Sequence, residues 1–468
     1  METLQRLHNR GSISTGYDID NSCKFEPDNS EYLGKTPTSS GNRRTFTISM
    51  WVKRTEISID SYLMEAGDGD YNQSDRTILK FDSSDKIRFG GGSAYERTTN
   101  RVFRDTSAWY HIVMAVDTTD STGGNRLKLY INGVQETSFG TSSDPSQNFQ
   151  YAFCKDDEHT IGYNHTDNGA YFGGYMSEVI LIDGQQLDPT SFGELDTDNN
   201  IWKPIDVSGL TFGTNGFYLD FKDSSNMGND ANGGTDFTEN NITAADQATD
   251  TPTNNFCVMN MLDRTDGNSR NQEGGTKVTT DGGSGWCSMI ATMGVTKGKW
   301  YWEAQRSGGS SDSNDVVVGI AGSEDDYIPY SSAAKYYIGN VAESSSMGFY
   351  TTGVPNVRNG SGDSLSNSAG DIIMIGLDLD NDKLYFGING TWDGLGTGGS
   401  SIWSSFDDQF VMPAVAVYQG KQIKINFGGY ASYTISSANS DADGYGTFEY
   451  AVPSGYYALC TKNLEEYG

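Results

Sequence analysis

Two long strand–turn–strand segments constrain the fold of this chain more than any other feature. The segment "GDIIMIGLDLDNDKLYFGING" covers residues 370–390, and "WYHIVMAVDTTDSTGGNRLKLYING" covers residues 109–133. In both, an apolar run ends in Asp, a polar turn follows, and a "KLY" strand returns. The equivalent lysines, Lys128 and Lys383, are 383 − 128 = 255 residues apart. This spacing predicts two separate β-domains, each containing a long central hairpin, because no short repeat indicates a solenoid.

The Asp378-x-Asp380-x-Asp382 pattern also resembles a calcium loop. A helix–loop–helix calcium site needs Gly at the sixth loop position and Glu at the twelfth. Counted from Asp378, those positions hold Lys383 and Asn389. We therefore predict a hairpin with its turn at Asp380-Asn381-Asp382, where Asn and Asp tolerate positive φ.

The composition indicates an all-β chain. Gly is abundant at 57 of 468 residues, Pro is scarce at 10, and 12% of residues are aromatic. Many tight turns between strands fit these values better than disorder does, and no stretch combines a helical apolar period with caps at both ends. No apolar run is long enough to span a bilayer, so we expect no membrane insertion.

The charge balance excludes one class of partner. The chain has 62 acidic and 32 basic residues, a formal net charge of −30, which repels phosphate backbones. We therefore expect no nucleic-acid partner. The five cysteines (Cys23, Cys154, Cys257, Cys287 and Cys460) are dispersed and form no CxxC pair. This pattern argues against a disulfide framework and a zinc site, and the N-terminus has no apolar signal region, so we expect folding in a reducing cytoplasm.

The strand motifs resemble two known families. "FTISMWVKR", "WYHIVMAVD" with "LKLYINGVQ", and "FGGYMSEVILIDGQQLDPTSF" resemble a laminin-G-like, concanavalin A-like jelly roll. "KGKWYWEAQ", "DVVVGIAG", the 370–390 hairpin, "MPAVAVY" and "NFG" resemble a SPRY domain. The resemblance implies an all-β fold of two tandem antiparallel β-sandwiches joined by a polar connection. The first family serves lectins, adhesion modules and glucanases, and the second generally binds proteins or peptides through loops at one end.

The predicted organisation has four parts. Residues 1–16 form an N-terminal arm, either a disordered tail or an attachment segment, and residues 17–202 form the laminin-G-like domain. Residues 203–255, rich in Asp, Asn, Thr and Gly, are either a linker or an ordered connection that packs through "GFYLDF". Residues 256–468 form the SPRY-like domain.

We found no motif that predicts catalysis. Glycoside hydrolysis needs two carboxylates flanking the scissile bond, and glucanases of the resembled fold usually place them as E-x-D-x-x-E on one strand. The nearest match, Glu194-x-Asp196-x-Asp198, lacks the final Glu and lies in a polar exit loop. His111, in an apolar strand, is expected to be a core or edge residue. No GxSxG or phosphate-binding loop is present. We predict that the protein is not an enzyme.

The sequence contains two candidate metal sites, and we expect no other cofactor. His159 and His165 bracket "TIGYN" next to three acidic residues, although a polar loop with a short strand explains the same pattern. Asp68, Asp70 and Asp75 in "EAGDGDYNQSD" offer carboxylates to Ca²⁺, as any acidic loop does.

Loop aromatics are the candidate ligand-binding residues, because sugar sites combine aromatic faces with a few polar groups. Each could instead be a packing residue within a strand. The candidates are Tyr71, Tyr95, Tyr163, Tyr171, Tyr327, Tyr330, Trp392 and Trp403.

Two binding-type sandwiches without an active-site pattern predict a recognition or structural protein. The whole pattern resembles structural proteins of marine bacteriophages. That resemblance implies a virion surface component (tail fibre, head fibre or decoration protein) assembled in the host cytoplasm and released extracellularly. The implied partners are other virion proteins and a host-surface glycan or protein, and the protein is expected to be a homo-oligomer. The alternatives are a polysaccharide depolymerase and a bacterial surface adhesin.

Overall fold

The computed structural model contains two compact units, the first ending at Thr253 and the second running from Asn254 to Gly468. The described residues are 16–67, 75–91, 97–197, 199–264, 269–280, 286–307, 316–323, 336–340, 348–350, 369–392, 400–401, 410–418 and 420–468. Within these ranges, no helix is both long and apolar enough to cross a membrane.

The first unit is an antiparallel β-sandwich. Its strands are β1 Ser22–Phe25, β2 Tyr32–Lys35, β3 Thr45–Arg54, β4 Ser61–Gly67, β5 Arg76–Phe81, β6 Ile87–Phe89, β7 Arg97–Thr99, β8 Trp109–Asp117, β9 Leu127–Ile131, β10 Val134–Gln135, β11 Phe139–Ser142, β12 Glu158–Ile161, β13 Gly174–Asp183, β14 Gly193–Asp196, β15 Ile201–Pro204, β16 Phe217–Leu219, β17 Thr238–Asn240 and β18 Gln247–Ala248. One sheet has the order β10-β9-β8-β3-β13-β1-β18, with β16 also on β13, and the other has the order β11-β7-β6-β5-β4-β12-β2-β17. Strands β14 and β15 form a separate hairpin.

Alternation of side chains along the strands builds the core between these two sheets. Phe46, Ile48, Met50 and Val52 of β3, which the sequence assigns to one face, are all fully buried. They pack with apolar residues of the opposite sheet such as Leu79. The jelly-roll type of fold predicted from the sequence is confirmed, including the hairpin of β8 and β9.

Residues 203–253 are an ordered part of the first sandwich. Strand β16 pairs with β13, β17 pairs with β2, and β18 pairs with β1. Two buried ion pairs fasten the same segment, Lys24 Nζ to Asp246 Oδ1 at 2.9 Å and Lys53 Nζ to Asp250 Oδ2 at 2.6 Å. Of the two alternatives for this segment, the structure has the ordered connection, and β16 lies within the "GFYLDF" stretch through which it was expected to pack. The segment also supplies edge strands and counter-ions to the sandwich.

A bulge in β13 places one carboxyl in an unusual setting. The register of β13 against β3 shifts between Ser177 and Ile180, and Glu178 adopts a φ of 49°. Its side chain is buried, and Tyr218 donates a 2.7 Å hydrogen bond to its Oε2. Oε1 has no hydrogen-bond partner among the described residues. Burial raises the pKa of Glu178 to about 7.

The second unit also has two sheets of mainly antiparallel strands. Its strands are β19 Met259–Arg264, β20 Ser269–Gln272, β21 Lys277–Thr280, β22 Trp286–Ala291, β23 Lys299–Ser307, β24 Val316–Gly322, β25 Tyr336–Asn340, β26 Gly348–Tyr350, β27 Ile372–Asp378, β28 Lys383–Ile388, β29 Thr391–Trp392, β30 Ser400–Ser401, β31 Val411–Tyr418, β32 Gln422–Asn426 and β33 Tyr457–Ala458, and helix α1 is Thr461–Tyr467. The sheet orders are β19-β22-β31-β24-β25-β26 and β20-β21-β32-β23-β27-β28-β29, with β30 on β28 and β33 on β23.

The predicted hairpin at 370–390 is confirmed as β27 and β28, which pair from Ile373–Ile388 to Asp378–Lys383. Asp378 organises the turn, because its Oδ1 accepts the Asn381 amide at 3.1 Å and its Oδ2 receives Lys299 Nζ at 2.8 Å. Asp382 has a φ of 57°, as the predicted turn requires. Asp378 and Asp382 therefore stabilise the turn of this hairpin.

Candidate functional site

A small hairpin-like loop after β12 brings two predicted ligand residues together. Phe172 N donates to Gly162 O at 2.9 Å, and Asn164 and Gly169 exchange two backbone hydrogen bonds of 3.2 Å each. Tyr163 and Tyr171 therefore lie on opposite arms of the loop. Their rings stack with centroids 4.5 Å apart and an interplanar angle of 21°.

Tyr32 on β2 completes a cluster of three rings, which we call the tyrosine surface (Tyr32, Tyr163 and Tyr171). Its ring centroid lies 4.5 Å from that of Tyr163 and 6.3 Å from that of Tyr171. The three meet because β2 pairs with β12, which leads into the loop. Tyr163 in the centre is 6% exposed, whereas Tyr32 and Tyr171 are half-buried and present ring surface to solvent.

Polar groups border the tyrosine surface where β2 carries no side chain. A Cβ atom at Gly34 would lie 3.6 Å from Glu158 Oε1, 3.7 Å from Asn240 Nδ2 and 3.7 Å from the Tyr32 ring. The exposed Glu158 carboxylate and the half-buried Asn240 amide, whose Nδ2 also donates to Thr238 O at 3.2 Å, thus lie beside the Tyr32 ring. Aromatic faces stack on the apolar faces of sugars, and carboxylate and amide groups bind sugar hydroxyls, so the arrangement suits a saccharide.

The hydroxyls of Tyr32 and Tyr163 remain protonated at neutral pH. Burial, followed by the negative charge of Glu158, raises the pKa of Tyr32 above its usual value. Burial and the adjacent Tyr171 raise the pKa of Tyr163 further. Tyr163 donates its hydroxyl hydrogen to Asn168 Oδ1, and this bond holds the central ring in place.

A buried ionic network anchors the loop that carries Tyr163 and Tyr171. Arg76 on β5 donates to Glu65 Oε1 at 2.6 Å, to Asn164 Oδ1 at 3.0 Å and to Asp167 Oδ2 at 2.9 Å. Thr166 also donates to Glu65 Oε1, at 2.7 Å. Glu65 is fully buried on β4. The loop is therefore fixed to two strands of the sheet by charge-assisted hydrogen bonds.

The two candidate metal histidines have separate polar partners. His159 is buried; its Nε2 accepts the Cys154 amide at 3.2 Å, and its Nδ1 contacts Asp157 O at 2.9 Å. His165 contacts Thr160 Oγ1 at 3.2 Å and Gly67 O at 3.1 Å. In the described part of the chain, no three His, Cys, Asp or Glu side chains are grouped to hold a metal ion.

Of the three candidate calcium ligands, only Asp75 lies within the described residues. It forms an ion pair with Lys155 at 3.3 Å. Calcium binding stays a prediction. Also outside the described ranges are Asp68, Asp70, Tyr71, Tyr95, Asp198, Tyr327, Tyr330 and Trp403.

Trp392 and the residues of the glucanase-like motif lie elsewhere. Trp392, in the second unit, packs with its ring centroid 6.1 Å from that of Tyr301, and its ring occupies the space above Gly376.

Glu194 is on the β14–β15 hairpin, with its side chain 56% exposed and 3.3 Å from Lys203 Nζ. Asp196 is on the same hairpin, so neither carboxylate has the enclosed setting that a glycosidase acid needs.

His111 is buried at the centre of a stacked aromatic arrangement. Its ring stacks on Trp51 at 4.7 Å and on Trp202 at 6.0 Å. Trp202 Nε1 donates to His111 Nδ1 at 2.9 Å, and Ser49 Oγ lies 2.9 Å from Nε2. Burial lowers the pKa of His111 to about 3, so it is a neutral core residue.

The sequence alone does not indicate Tyr32, Glu158 and Asn240 as ligand-binding residues. The three lie on different strands and are brought close to Gly34 by the β17-β2-β12 pairing. The available signal was the alternation in "EYLGK", which places Tyr32 and Gly34 on the face opposite Leu33.

The comparisons with known proteins agree with this architecture. A family model described as the concanavalin A-like lectin/glucanases superfamily matches residues 28–186, and a SPRY domain model matches residues 299–430. The chain therefore carries a concanavalin A-like domain followed by a SPRY domain. No curated protein sequence matches the chain.

Three similar solved structures each match less than half of the chain. The SPRY domain of human HERC1 is 19% identical over 36% of this chain and 96% of its own, with a TM-score of 0.25. A carbohydrate-binding protein of Bacteroides ovatus, described as putative, is 19% identical over 48% of this chain and 59% of its own, with a TM-score of 0.34. A heptameric pentraxin of Limulus polyphemus is 18% identical over 37% of this chain and 80% of its own, with a TM-score of 0.28.

Proposed function

We propose that the protein is a non-enzymatic recognition protein whose concanavalin A-like domain binds a carbohydrate on the tyrosine surface. The observation that carries the proposal is the contact of three tyrosine rings beside the Glu158 carboxylate and the Asn240 amide. A sugar ring stacks on the solvent-facing side of Tyr32 or Tyr171, and its hydroxyls bind the two polar groups.

A glycan array followed by calorimetry tests this function. Tyr171→Ala removes one outer ring and is expected to weaken binding of an array hit about tenfold, since losing a stacking contact costs roughly 1–2 kcal/mol. The matched control is Tyr467→Ala, which removes a tyrosine of similar exposure that stacks on Tyr457 in the second unit at 3.6 Å. Equal loss in both variants, or no array hit, would contradict the proposal.

We further propose that the protein is a bacteriophage virion surface component (a tail fibre, head fibre or decoration protein) that associates as a symmetric oligomer with other virion proteins. The resemblance of the sequence to marine phage structural proteins supports this assignment. Five buried cysteines without disulfide bonds are compatible with assembly in a reducing host cytoplasm. Mass spectrometry and immunogold microscopy of purified particles test it: label at fixed positions is expected, and absence from particles would refute it.

A further inference from the structure

A polar cleft of about 630 Å³ opens in the first sandwich. None of its lining residues belongs to the tyrosine surface. The turn before β3, the end of β13 and residues 213–214 form its walls. This volume is within the roughly 300–1,000 Å³ that small-ligand sites occupy. No aromatic side chain of the described residues lines it, so a ligand must be held by polar and charged groups.

The one carboxylate in the cleft wall is engaged with the backbone. Asp183 Oδ1 accepts the Asn42 amide at 2.7 Å, and Oδ2 accepts the Asn215 amide at 2.9 Å. Asp183 is only 6% exposed, and a Cβ atom at Gly41 would lie 2.0 Å from its Oδ2. Asp183 therefore ties two loops together and leaves little open acceptor surface for a cation.

The open side chains of the cleft can all donate hydrogen bonds. Arg44, Gln150 and Thr214 are exposed, and their side chains have no hydrogen-bond partner in the described part of the chain. Arg43 Nε donates to Tyr151 O at 2.6 Å, which orients its guanidinium group at the cleft wall. With two arginines and one aspartate, the lining has a formal charge of +2 − 1 = +1, in a chain of net charge −30.

We propose that this cleft is a second binding site, for a saccharide that carries a carboxylate or sulfate group. Guanidinium groups bind such oxyanions through paired hydrogen bonds, and the Gln150 amide and Thr214 hydroxyl are available for sugar hydroxyls. Because the surrounding protein is acidic, the site favours a short ligand with an isolated charge over a long polyanion. The inference goes beyond the tyrosine surface and uses none of its residues.

Binding of three matched oligosaccharides tests the site. The probes are an oligogalacturonate for the carboxylate, a sulfated oligogalactan for the sulfate, and a neutral oligogalactan of equal length. We expect Arg44→Glu to weaken binding of an acidic probe about tenfold or more, because a charge-assisted contact is replaced by a repulsive one. Arg101→Glu is the control, since it reverses another exposed arginine of the same unit that does not line the cleft.

Each outcome bears on the site. Loss in Arg44→Glu but not in Arg101→Glu, with weaker binding at high salt, supports it. Equal loss in the two variants, equal affinity for acidic and neutral probes, or no binding of either acidic probe overturns it. Arg44→Gln, with thermal unfolding checked, separates loss of a contact from a folding defect. Tyr171→Ala leaves acidic-probe binding intact, so failure of the tyrosine site and failure of this cleft are distinguishable.

Discussion

Tyr218 donates a 2.7 Å hydrogen bond to Oε2 of Glu178 at the β13 bulge, while the other oxygen of that buried carboxyl has no partner among the described residues. Tyr17 donates to the same Oε2 at 3.5 Å, but two neutral donors on one oxygen do not replace the hydration that the charged carboxylate loses. The protonated form is therefore favoured in the folded protein, and Glu178 becomes a pH-dependent element of stability.

We predict that Glu178→Gln reduces the loss of stability between about pH 5 and about pH 8. The folded pKa, about 7, is above the usual 4.5, so the favourable contribution is complete below the unfolded value and disappears as pH rises through the folded one. A shift of this size corresponds to a contribution on the order of 3 kcal/mol. Denaturant unfolding at both pH values measures it, with the exposed Glu194→Gln as control. An unchanged pH dependence would refute the prediction.

His111 is predicted to stay neutral in the folded protein throughout the range from about pH 4 to about pH 8. Its pKa is lowered to about 3, so its contribution to stability is present above the unfolded value near 6.5 and declines as pH falls through the folded value. Because Trp202 donates to Nδ1, the proton resides on Nε2 and points to Ser49. Nitrogen-15 NMR of the imidazole checks both points; a Nδ1-H tautomer or titration near pH 6 would contradict them.

Glu65→Gln is predicted to loosen the loop at 162–172 and to weaken glycan binding without altering any ring of the tyrosine surface. The substitution removes the buried carboxylate paired with Arg76 and leaves the partly exposed Asp167 in place. The cost is therefore expected to be below the about 3–5 kcal/mol of a buried charge that loses its one partner. Hydrogen exchange of the loop amides should accelerate. Asp75→Asn, which affects the partly exposed pair with Lys155, should change neither readout. Unchanged exchange in Glu65→Gln would show that the network does not hold the loop.

Lys53→Met is predicted to destabilise the first unit by about 3–5 kcal/mol, because it leaves Asp250 as a buried charge without its ammonium partner. Lys299→Met is the comparison: Lys299 also pairs with a carboxylate, but its side chain is 31% exposed. That change should cost about 1 kcal/mol or less. Similar losses in the two variants would indicate that Asp250 is not buried in solution.

Purified protein is predicted to release no reducing ends from polysaccharides that it binds, and Glu194→Gln should be indistinguishable from the unmodified chain. Glu194 is more than half exposed and paired with Lys203, so it lacks the enclosed setting in which two carboxylates flank a bound sugar. A reducing-end assay on an array hit is the check. Release that Glu194→Gln abolishes would establish a depolymerase instead.

Local patterns predicted the strands and hairpins well, since residues such as Ile372–Leu377 carry their β-signal within a few positions. The tyrosine surface could not be predicted as a whole, because its residues are brought together by strands that are distant in sequence. Tyr163 and Tyr171 were predicted singly, but nothing local indicates that Tyr32 lies 4.5 Å from Tyr163 across two paired strands. For the same reason, the sequence did not indicate that residues 203–253 supply counter-ions to the first sandwich. Their Asp and Asn content is typical of loops, and only the fold shows that Asp246 and Asp250 neutralise buried lysines.

The ion pair between Lys53 and Asp250 joins residues that are 197 positions apart. Lys53 belongs to a central strand, and its ammonium group cannot form this ion pair until Asp250 has left the ribosome. Strands β17 and β18 also cover edges of both sheets only at that stage. The nascent first unit must therefore wait as an incomplete sandwich with exposed edges, and a chaperone or slow translation near this segment would protect it from misassembly.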